Sequence, residues 1–167
     1  LTISAVGTIN HNAILVSGNV VSNDNGYWNS NSASTSDIKL VGNNDQSISG
    51  TGQLHDLDVQ KTGGDVLMPD DLEVSHGLLS GSGLVKNTGG KLKVVNNFTI
   101  NFSGSVDDLE FNHSNATATL SQDLTVNNTL TITAIKYLFG NFAYAVSGDI
   151  VSTDAAYFYS NSGYTSD

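Results

Sequence analysis

Residues Leu72–Val85, LEVSHGLLSGSGLV, contain the pattern that decides the fold. Leu72, Leu78 and Leu84 recur every six residues, and Leu72-Glu73-Val74 alternates apolar and polar side chains, as a strand with one buried face requires. Similar short runs follow one another along the chain, separated by a few residues rich in Gly, Asn, Ser and Asp. Because Gly, Asn and Ser favour turns whereas Val, Ile and Thr favour strands, the sequence predicts many short strands and almost no helix.

Strands this short, with almost no long loops, favour a β-solenoid over a sandwich, whose strands usually run for about 5–6 residues. In a solenoid each strand stacks on its counterpart one turn later, and the inward side chains form a continuous apolar column. We therefore predict a parallel β-solenoid (β-helix) of short strands with roughly 20 residues per turn. The right-handed sense is predicted from the handedness of parallel crossover connections. Tandem β-sandwich repeats are the alternative fold.

The chain repeats itself at two lengths. At an offset of 130 residues, Val16–Asp37 matches Val146–Asp167 at 13 of 22 positions, and a weaker repeat recurs at an offset of 52 residues. Nested repeats are typical of tandem arrays, in which each unit buries its apolar face against its neighbours. We interpret residues 1–167 as one continuous segment of such an array. Its parts are an aromatic and polar inserted segment (1–37), two copies of the short repeat (38–89 and 90–130) and the start of the next 130-residue repeat (131–167).

The shorter repeat also makes a prediction about the core. An offset of 52 residues places Leu57 on Leu109 and Leu72 on Leu124. Since equivalent residues of stacked repeats occupy equivalent places, we expect these four leucines to point inward at the same position of the turn.

Charge and composition limit the partners of the chain. Sixteen acidic residues against six lysines, with no arginine, give a formal net charge of −10. Binding to nucleic acid or to anionic membranes depends on Lys and Arg, so both partners are disfavoured. The absence of cysteine excludes disulfides and thiolate metal sites. No run approaches the ~18 apolar residues of a transmembrane helix, so we predict no membrane insertion by this segment.

Paired acidic residues are candidates for a metal site. In Asp56/Asp58 and in Asp71/Glu73 the two carboxylates occupy alternate strand positions, so they project outward together. Stacked carboxylates could supply the oxygen ligands that Ca²⁺ takes, and Asp24 lies in an Asn-Asp-Asn-Gly turn that resembles half of a calcium loop. The alternative is that these side chains are solvent-exposed and keep the chain soluble. No other cofactor is predicted.

The sequence favours a protein that is not an enzyme. A catalytic site occurs once in a chain, whereas the acidic pairs recur with the repeat. The four histidines are scattered without metal-ligand spacing, and no G-x-S-x-G motif occurs. We assign no catalytic residue.

Aromatic residues recur at one place in the 130-residue repeat, as Tyr27-Trp28 and Tyr157-Phe158, and further aromatics crowd the second copy. Tyr and Trp are enriched in interfaces. The polar sequence around each pair fits a loop or hairpin that protrudes from the solenoid. We predict that Tyr27, Trp28, Tyr157 and Phe158 contact a neighbouring rod or a ligand, the alternative being a locally thicker core or a hairpin packed on the rod.

The segment Ile38–Leu79 also resembles a known repeat. Its successive elements are Gln46-Ser47-Ile48-Ser49-Gly50, Asp56-Leu57-Asp58-Val59, Gly63-Gly64 and Leu72–Leu78. In this order they are similar to tandem repeats of large secreted and cell-surface proteins of Bacteroidota. A more degenerate copy follows at Lys91–Ile132, so the resemblance covers about half of the chain.

This resemblance implies export, often by the type IX route, and a role in adhesins, stalks or filaments without catalysis. On this basis we expect a structural rod segment of a surface appendage, filament or adhesin fibre, located outside the cell or on its surface. Other copies of the same protein are the expected partners, as in a bundle or fibre. The alternative function is a glycan-binding adhesin module that uses the aromatic segment to bind cell-surface glycans.

Overall fold

The computed structural model describes residues 1–4, 8–11, 13–23, 27–30, 38–75, 77–140, 142–153 and 157–159, with the backbone alone at 8–11, 27–30, 77–78 and 157–159. Within these ranges there is no helix, and every strand pairing is parallel. The strands are, in chain order, β1 (Thr2–Ile3), β2 (Thr8–His11), β3 (Ile14–Val16), β4 (Val20–Ser22), β5 (Tyr27–Ser30), β6 (Ile38–Gly42), β7 (Gln46–Ser49), β8 (Gln53–Leu54), β9 (Leu57–Lys61), β10 (Val66–Met68), β11 (Leu72–Val74), β12 (Gly77–Ser82), β13 (Leu84–Asn87), β14 (Leu92–Val94), β15 (Phe98–Phe102), β16 (Ser105–Leu120), β17 (Leu124–Phe139), β18 (Tyr144–Val146), β19 (Asp149–Ser152) and β20 (Tyr157–Tyr159).

Three parallel ladders run along the molecule, and from β6 onward each turn of the chain adds one strand to each of them, whereas β2 and β5 form a separate two-stranded sheet. Ladder 1 contains β3, β6, β9, β12, β15, the last parts of β16 and β17, and β20. Ladder 2 contains β1, β4, β7, β10, β13, the first parts of β16 and β17, and β18. Ladder 3 contains β8, β11, β14, the middle parts of β16 and β17, and β19.

This architecture is the predicted parallel β-solenoid, with about 6 turns, and the sandwich alternative is wrong. Leu72 pairs with Leu92, which confirms the period of roughly 20 residues per turn. One difference from the prediction is the length of β16 and β17, which each extend over 16 residues through all three ladders. The right-handed sense stays a prediction.

The core is a set of apolar columns inside the ladders. In ladder 3 the column contains Leu72, Leu92, Leu109 and Leu130, all of which are buried. Alternate residues of each strand point inward, and each inward side chain packs on its counterpart in the next turn. The buried side chains of the described residues therefore form one cluster that continues from turn to turn.

The close stacking of one turn of the solenoid on another also excludes a side chain at Gly81 in β12. Gly81 has a φ of +92°, and a Cβ there would lie 2.0 Å from the backbone oxygen of Val59 in the preceding turn. Only glycine has both the required backbone conformation and the required absence of a side chain.

The four leucines predicted from the 52-residue repeat are all buried, as expected, but they do not share one position of the turn. Leu72 and Leu109 lie in ladder 3, Leu57 lies in ladder 1, and Leu124 lies at the start of β17 in ladder 2. The prediction of equivalent positions is therefore wrong, because 52 residues do not make a whole number of turns. From β6 to β14 the chain passes eight strands, which at three per turn is two turns and two strands.

The 130-residue repeat is displaced in the same way. Val16 lies in ladder 1, whereas its counterpart Val146 lies in ladder 2. If β16 and β17 are each counted as three strand segments, β18 is the nineteenth segment after β3. At three segments per turn, nineteen segments make six turns and one strand. Each copy of the long repeat is therefore rotated by a third of a turn relative to the copy before it.

Candidate functional site

Several turns between ladders are braced by an Asp or Asn side chain. In each brace, a side-chain oxygen accepts a hydrogen bond from a backbone N–H that lies about one turn away in the chain. Because a backbone N–H without a partner is costly, these carboxylates stabilise the stacking of one turn on another. The acceptor and donor pairs include Asp45 with Asp65 (2.9 Å), Asp70 with Gly50 (2.9 Å), Asp71 with Lys91 (3.1 Å), Asn97 with Thr117 (2.9 Å) and Asp123 with Ala143 (2.8 Å).

One corner, between ladders 2 and 3, continues this bracing over three turns. Asp107 Oδ2 accepts from the Asn87 N–H at 3.2 Å, and Asp107 Oδ1 accepts from Asn127 Nδ2 at 2.9 Å. Beside it, Asp108 Oδ1 accepts from the Thr129 N–H at 3.1 Å. The two adjacent carboxylates therefore connect the turn before them to the turn after them.

A cluster of opposite charges covers the outer face of ladder 3. Lys93 Nζ lies 2.6 Å from Asp71 Oδ2, and Lys91 Nζ lies 2.6 Å from Glu110 Oε2. Glu110 Oε1 also accepts a hydrogen bond from Thr133 Oγ1 at 2.7 Å. Each carboxylate of this cluster is thus paired with a lysine of a neighbouring turn.

These pairs shift the pKa values of their members. Burial of Asp71 and Glu110 opposes ionisation, but the hydrogen bonds and charges of Lys93 and Lys91 outweigh it, so both carboxyl pKa values are lowered. The hydrogen bond to Asp71 raises the pKa of Lys93. With these pKa shifts Asp71, Glu110 and Lys93 are ionised at neutral pH, and none of the three is poised to exchange a proton there.

The calcium candidates are not brought together. Asp71 accepts from the Lys91 N–H and pairs with Lys93, while Glu73 Oε2 accepts from Gln53 Nε2 at 2.6 Å. No three acidic or histidine side chains of the described residues are grouped so that they could hold a metal ion. Asp24 lies outside the described residues.

The acidic pair Asp56 and Asp58 is buried, although solvent exposure was the alternative predicted for the acidic pairs. Their exposed fractions are 7% and 5%. Asp58 is covered by neighbouring outward side chains, since Lys39 Nζ lies 3.5 Å from its Oδ2 and Gln60 Nε2 donates to its Oδ1 at 2.9 Å. The prediction of solvent exposure is therefore wrong for this pair, and at Asp58 the reason is that Lys39 of the adjacent strand and Gln60 of the same strand lie over the carboxylate.

The aromatic segments have a different backbone from the one predicted. Tyr27–Ser30 forms a parallel pairing with Thr8–His11, and Tyr157–Tyr159 pairs in parallel with Tyr137–Phe139. Each of these strands is thus one turn away from its partner, as solenoid strands are, and neither forms a hairpin. The side chains of Tyr27, Trp28, Tyr157 and Phe158 lie outside the described residues, so their contacts stay a prediction.

A second aromatic feature is visible at the end of β17. Leu138 is buried, whereas Tyr137 and Phe139 on either side of it lie on the outer face, with ring centroids 5.4 Å apart and planes 34° apart. Phe139 is 38% exposed, and Lys136 Nζ lies 5.2 Å from the centroid of the Tyr137 ring. We call Tyr137 and Phe139 the ring pair. The available signal in the sequence was their difference from the first copy: Leu1-Thr2-Ile3 recurs as Leu130-Thr131-Ile132, and this local offset of 129 residues places Thr8 on Tyr137 and Asn10 on Phe139.

Among the described residues, no helix is long and apolar enough to cross a membrane. No protein-family model matches the sequence. Comparison with curated proteins finds no match, and neither does comparison with solved structures.

Proposed function

We propose that this chain is a rod segment of a large extracellular repeat protein, a structural spacer without catalytic activity in a surface appendage, filament or adhesin fibre. The observation that carries the proposal is that the core columns and the turn braces continue from one turn to the next. Most of the acidic side chains described above form braces or ion pairs between turns, and these contacts stabilise the structure. The resemblance of Ile38–Leu79 to tandem repeats of Bacteroidota surface proteins supports an exported protein.

A solenoid whose core columns and turn braces continue from turn to turn is suited to act as a spacer that keeps its two ends apart. Each turn adds about 4.8 Å along the axis, because that is the spacing of hydrogen-bonded strands. One copy of the long repeat comprises six turns and one strand, so it contributes about 30 Å of length. A tandem array of such copies would be a thin rod whose length is set by copy number.

Rod length is therefore the quantity to measure. We expect proteins with two, three and four tandem copies, viewed by electron microscopy, to be rods that lengthen by about 30 Å per copy. Compact particles, or a length that does not change with copy number, would contradict the proposal.

Cellular location needs a separate experiment. Antibodies raised against residues 38–130 should label intact cells of the source organism, and the label should disappear when the cells are treated with an added protease. Labelling only after cell lysis would exclude a surface appendage.

Association with other copies of the same protein is a further part of this proposal. The rotation of successive copies affects the geometry of this association. Tyr27 and Tyr157 belong to strands with different partners, and they lie a third of a turn apart in the repeat. If Tyr27, Trp28, Tyr157 and Phe158 contact neighbouring rods, three successive copies would make these contacts on three different sides of the rod. Loss of bundling after Tyr27→Ser with Trp28→Ser, and the equivalent changes in every copy, is the expected result.

A further inference from the structure

The strands β18 and β19 leave an apolar face of the solenoid open. Ile150 continues the core column of ladder 3 beyond Leu130, yet it is 61% exposed. The next residue, Val151, is 46% exposed. In β18, Tyr144 and Val146 pack on the core but are only partly buried. Both strands pair with β17, and no pairing among the described residues covers their other side.

The first copy of the 130-residue repeat contains the same face in a covered form. Ile150 corresponds to Val20, and Val146 corresponds to Val16. Both valines of the first copy are buried, because β6 pairs with β3 and β7 pairs with β4. The residues that bury this face in the first copy therefore belong to Ile38–Ser49, which we call the covering segment.

The polar partners of the covering segment are also present in both copies. Gln46, which is 1% exposed, donates from Nε2 to the backbone oxygens of Val16 at 2.9 Å and Gly18 at 2.8 Å. The Ser47 N–H donates to Asn19 Oδ1 at 2.9 Å. The second copy retains all three acceptors, because an aspartate offers a side-chain oxygen as an asparagine does. The corresponding residues are Val146, Gly148 and Asp149.

We propose that this open face binds the covering segment of a second copy of the chain, by addition of parallel strands to β18 and β19. The core of one copy is then completed by the next copy. This inference rests on the proposed tandem array and deepens it, since it states which strands meet at the junction. The face lies in ladders 2 and 3, whereas its counterpart lies in ladders 1 and 2, so the junction produces the rotation of successive copies.

A two-copy protein provides the test. In it, residues 1–167 are followed directly by a second copy of residues 38–167. Because Asp167 corresponds to Asp37, this connection keeps the spacing of the repeat. The chain contains no cysteine, so a disulfide between two introduced cysteines reports which strands are neighbours.

The first measurement is disulfide formation across the junction. Val21 and Ser49 are register partners in the first copy, and Val151 is the counterpart of Val21. Register partners lie about 4.8 Å apart, which a disulfide can span. We expect Val151→Cys, combined with Ser49→Cys of the second copy, to oxidise as completely as Val21→Cys with Ser49→Cys in the first copy.

The register control combines Val151→Cys with Ser47→Cys of the second copy. Ser47 lies two residues before Ser49, so its Cα should be about 8 Å from that of Val151, too far for a disulfide. The inference is overturned if the Val151 and Ser49 pair does not oxidise while the pair of the first copy does. It is also overturned if Ser47→Cys oxidises as readily as Ser49→Cys.

The second measurement uses the buried side of the junction. Ile150→Asp should lower the urea midpoint of the two-copy protein, where the residue is covered, and change that of the single chain far less, where it is exposed. Equal shifts in the two proteins would overturn the inference whatever the disulfides show. Separately folded copies joined by linkers could still lengthen with copy number, so failure here leaves the rod-length test of the proposed function unaffected.

Discussion

At the scale of single residues, stability depends on the place of a side chain in a column rather than on its residue type. Leu72 and Leu15 show the contrast, since Leu72 is fully buried in ladder 3 whereas Leu15 is 68% exposed in ladder 1. Burying a leucine side chain contributes roughly 1.5–3 kcal/mol relative to leaving it in water. The same residue type therefore contributes to the core at one position and little at the other.

We predict that Leu72→Ala lowers the free energy of unfolding by about 2–5 kcal/mol, because it leaves a cavity in the core next to Leu92, the counterpart of Leu72 in the next turn. The control Leu15→Ala should change the free energy by no more than about 0.5 kcal/mol. Urea denaturation followed by circular dichroism measures both. Equal effects of the two substitutions would show that Leu72 is not part of a packed column.

At the scale of elements, strands and turns have different stabilising interactions. Strands are held by ladder hydrogen bonds and by the apolar columns inside them, whereas several turns are held by Asp and Asn side chains that accept from the preceding or the next turn. The carboxylates of Asp45, Asp70, Asp71, Asp107, Asp108 and Asp123 thus accept from backbone donors, whereas Asp58, Glu73 and Glu110 pair with side chains.

Asp108 allows the hydrogen bond to be separated from the charge. Asn retains an oxygen that can accept from the Thr129 N–H, whereas Ala does not. We therefore expect Asp108→Ala to cost about 1–2 kcal/mol and Asp108→Asn clearly less. Asp149→Ala, at an exposed residue, is the control and should have little effect. If Asn and Ala are equally harmful in urea denaturation, the carboxylate acts through its charge rather than as a hydrogen-bond acceptor.

The charged cluster of ladder 3 makes stability depend on pH. The folded-state pKa values of Asp71 and Glu110 are lowered, so the folded protein binds fewer protons there than the unfolded chain. Their contribution is therefore present at neutral pH and is lost as the pH falls below about 4. The raised pKa of Lys93 acts only at the alkaline end, where stability is lost as the pH rises above the ordinary range of lysine.

The variant Lys93→Met should reveal this contribution. Without Lys93 the pKa of Asp71 moves upward, so the variant should lose less stability than the parent between pH 7 and pH 3, while being less stable at pH 7. Lys86→Met, at an exposed lysine, should behave like the parent. Urea midpoints at several pH values measure the difference, and parallel pH profiles of parent and Lys93→Met would refute the ion pair's role.

At the scale of the whole molecule, the repeat of the sequence and the repeat of the structure are different lengths. The structure repeats with every turn, while the sequence repeats after six turns and one strand. Equivalent residues of successive copies thus lie in different ladders, although they occupy the same kind of strand. A surface feature that every copy carries would wind around the rod.

This rotation predicts the axial period of a longer array. Three copies make nineteen whole turns, so only every third copy has the same orientation, and the repeat distance along the rod is about 90 Å. Averaged electron micrographs of an array with at least six copies, labelled by an antibody fragment against the aromatic segment, measure this distance. Labels that recur on one side of the rod every ~30 Å would show that the copies are not rotated.

Much of the fold follows from local sequence. The short alternating runs, exemplified by Leu72-Glu73-Val74, specify strands with one buried face, and the residues between them specify tight turns. Together these features determine a chain that coils with a period of roughly 20 residues, which is why the solenoid and the burial of its leucines could be predicted. The composition also determines the negative charge that disfavours nucleic acid as a partner.

The tertiary structure alone decided which residues meet. Sequence repeats record how the chain was duplicated, whereas ladder membership depends on the number of strands per turn, so Leu72 shares a column with Leu92 and Leu109 but not with Leu124. The partner of each carboxylate was hidden for the same reason, since the donor lies one turn away in the chain and next to the carboxylate in space. Local patterns specify strands and turns because these form from neighbouring residues, but contacts between turns exist only after the chain has coiled.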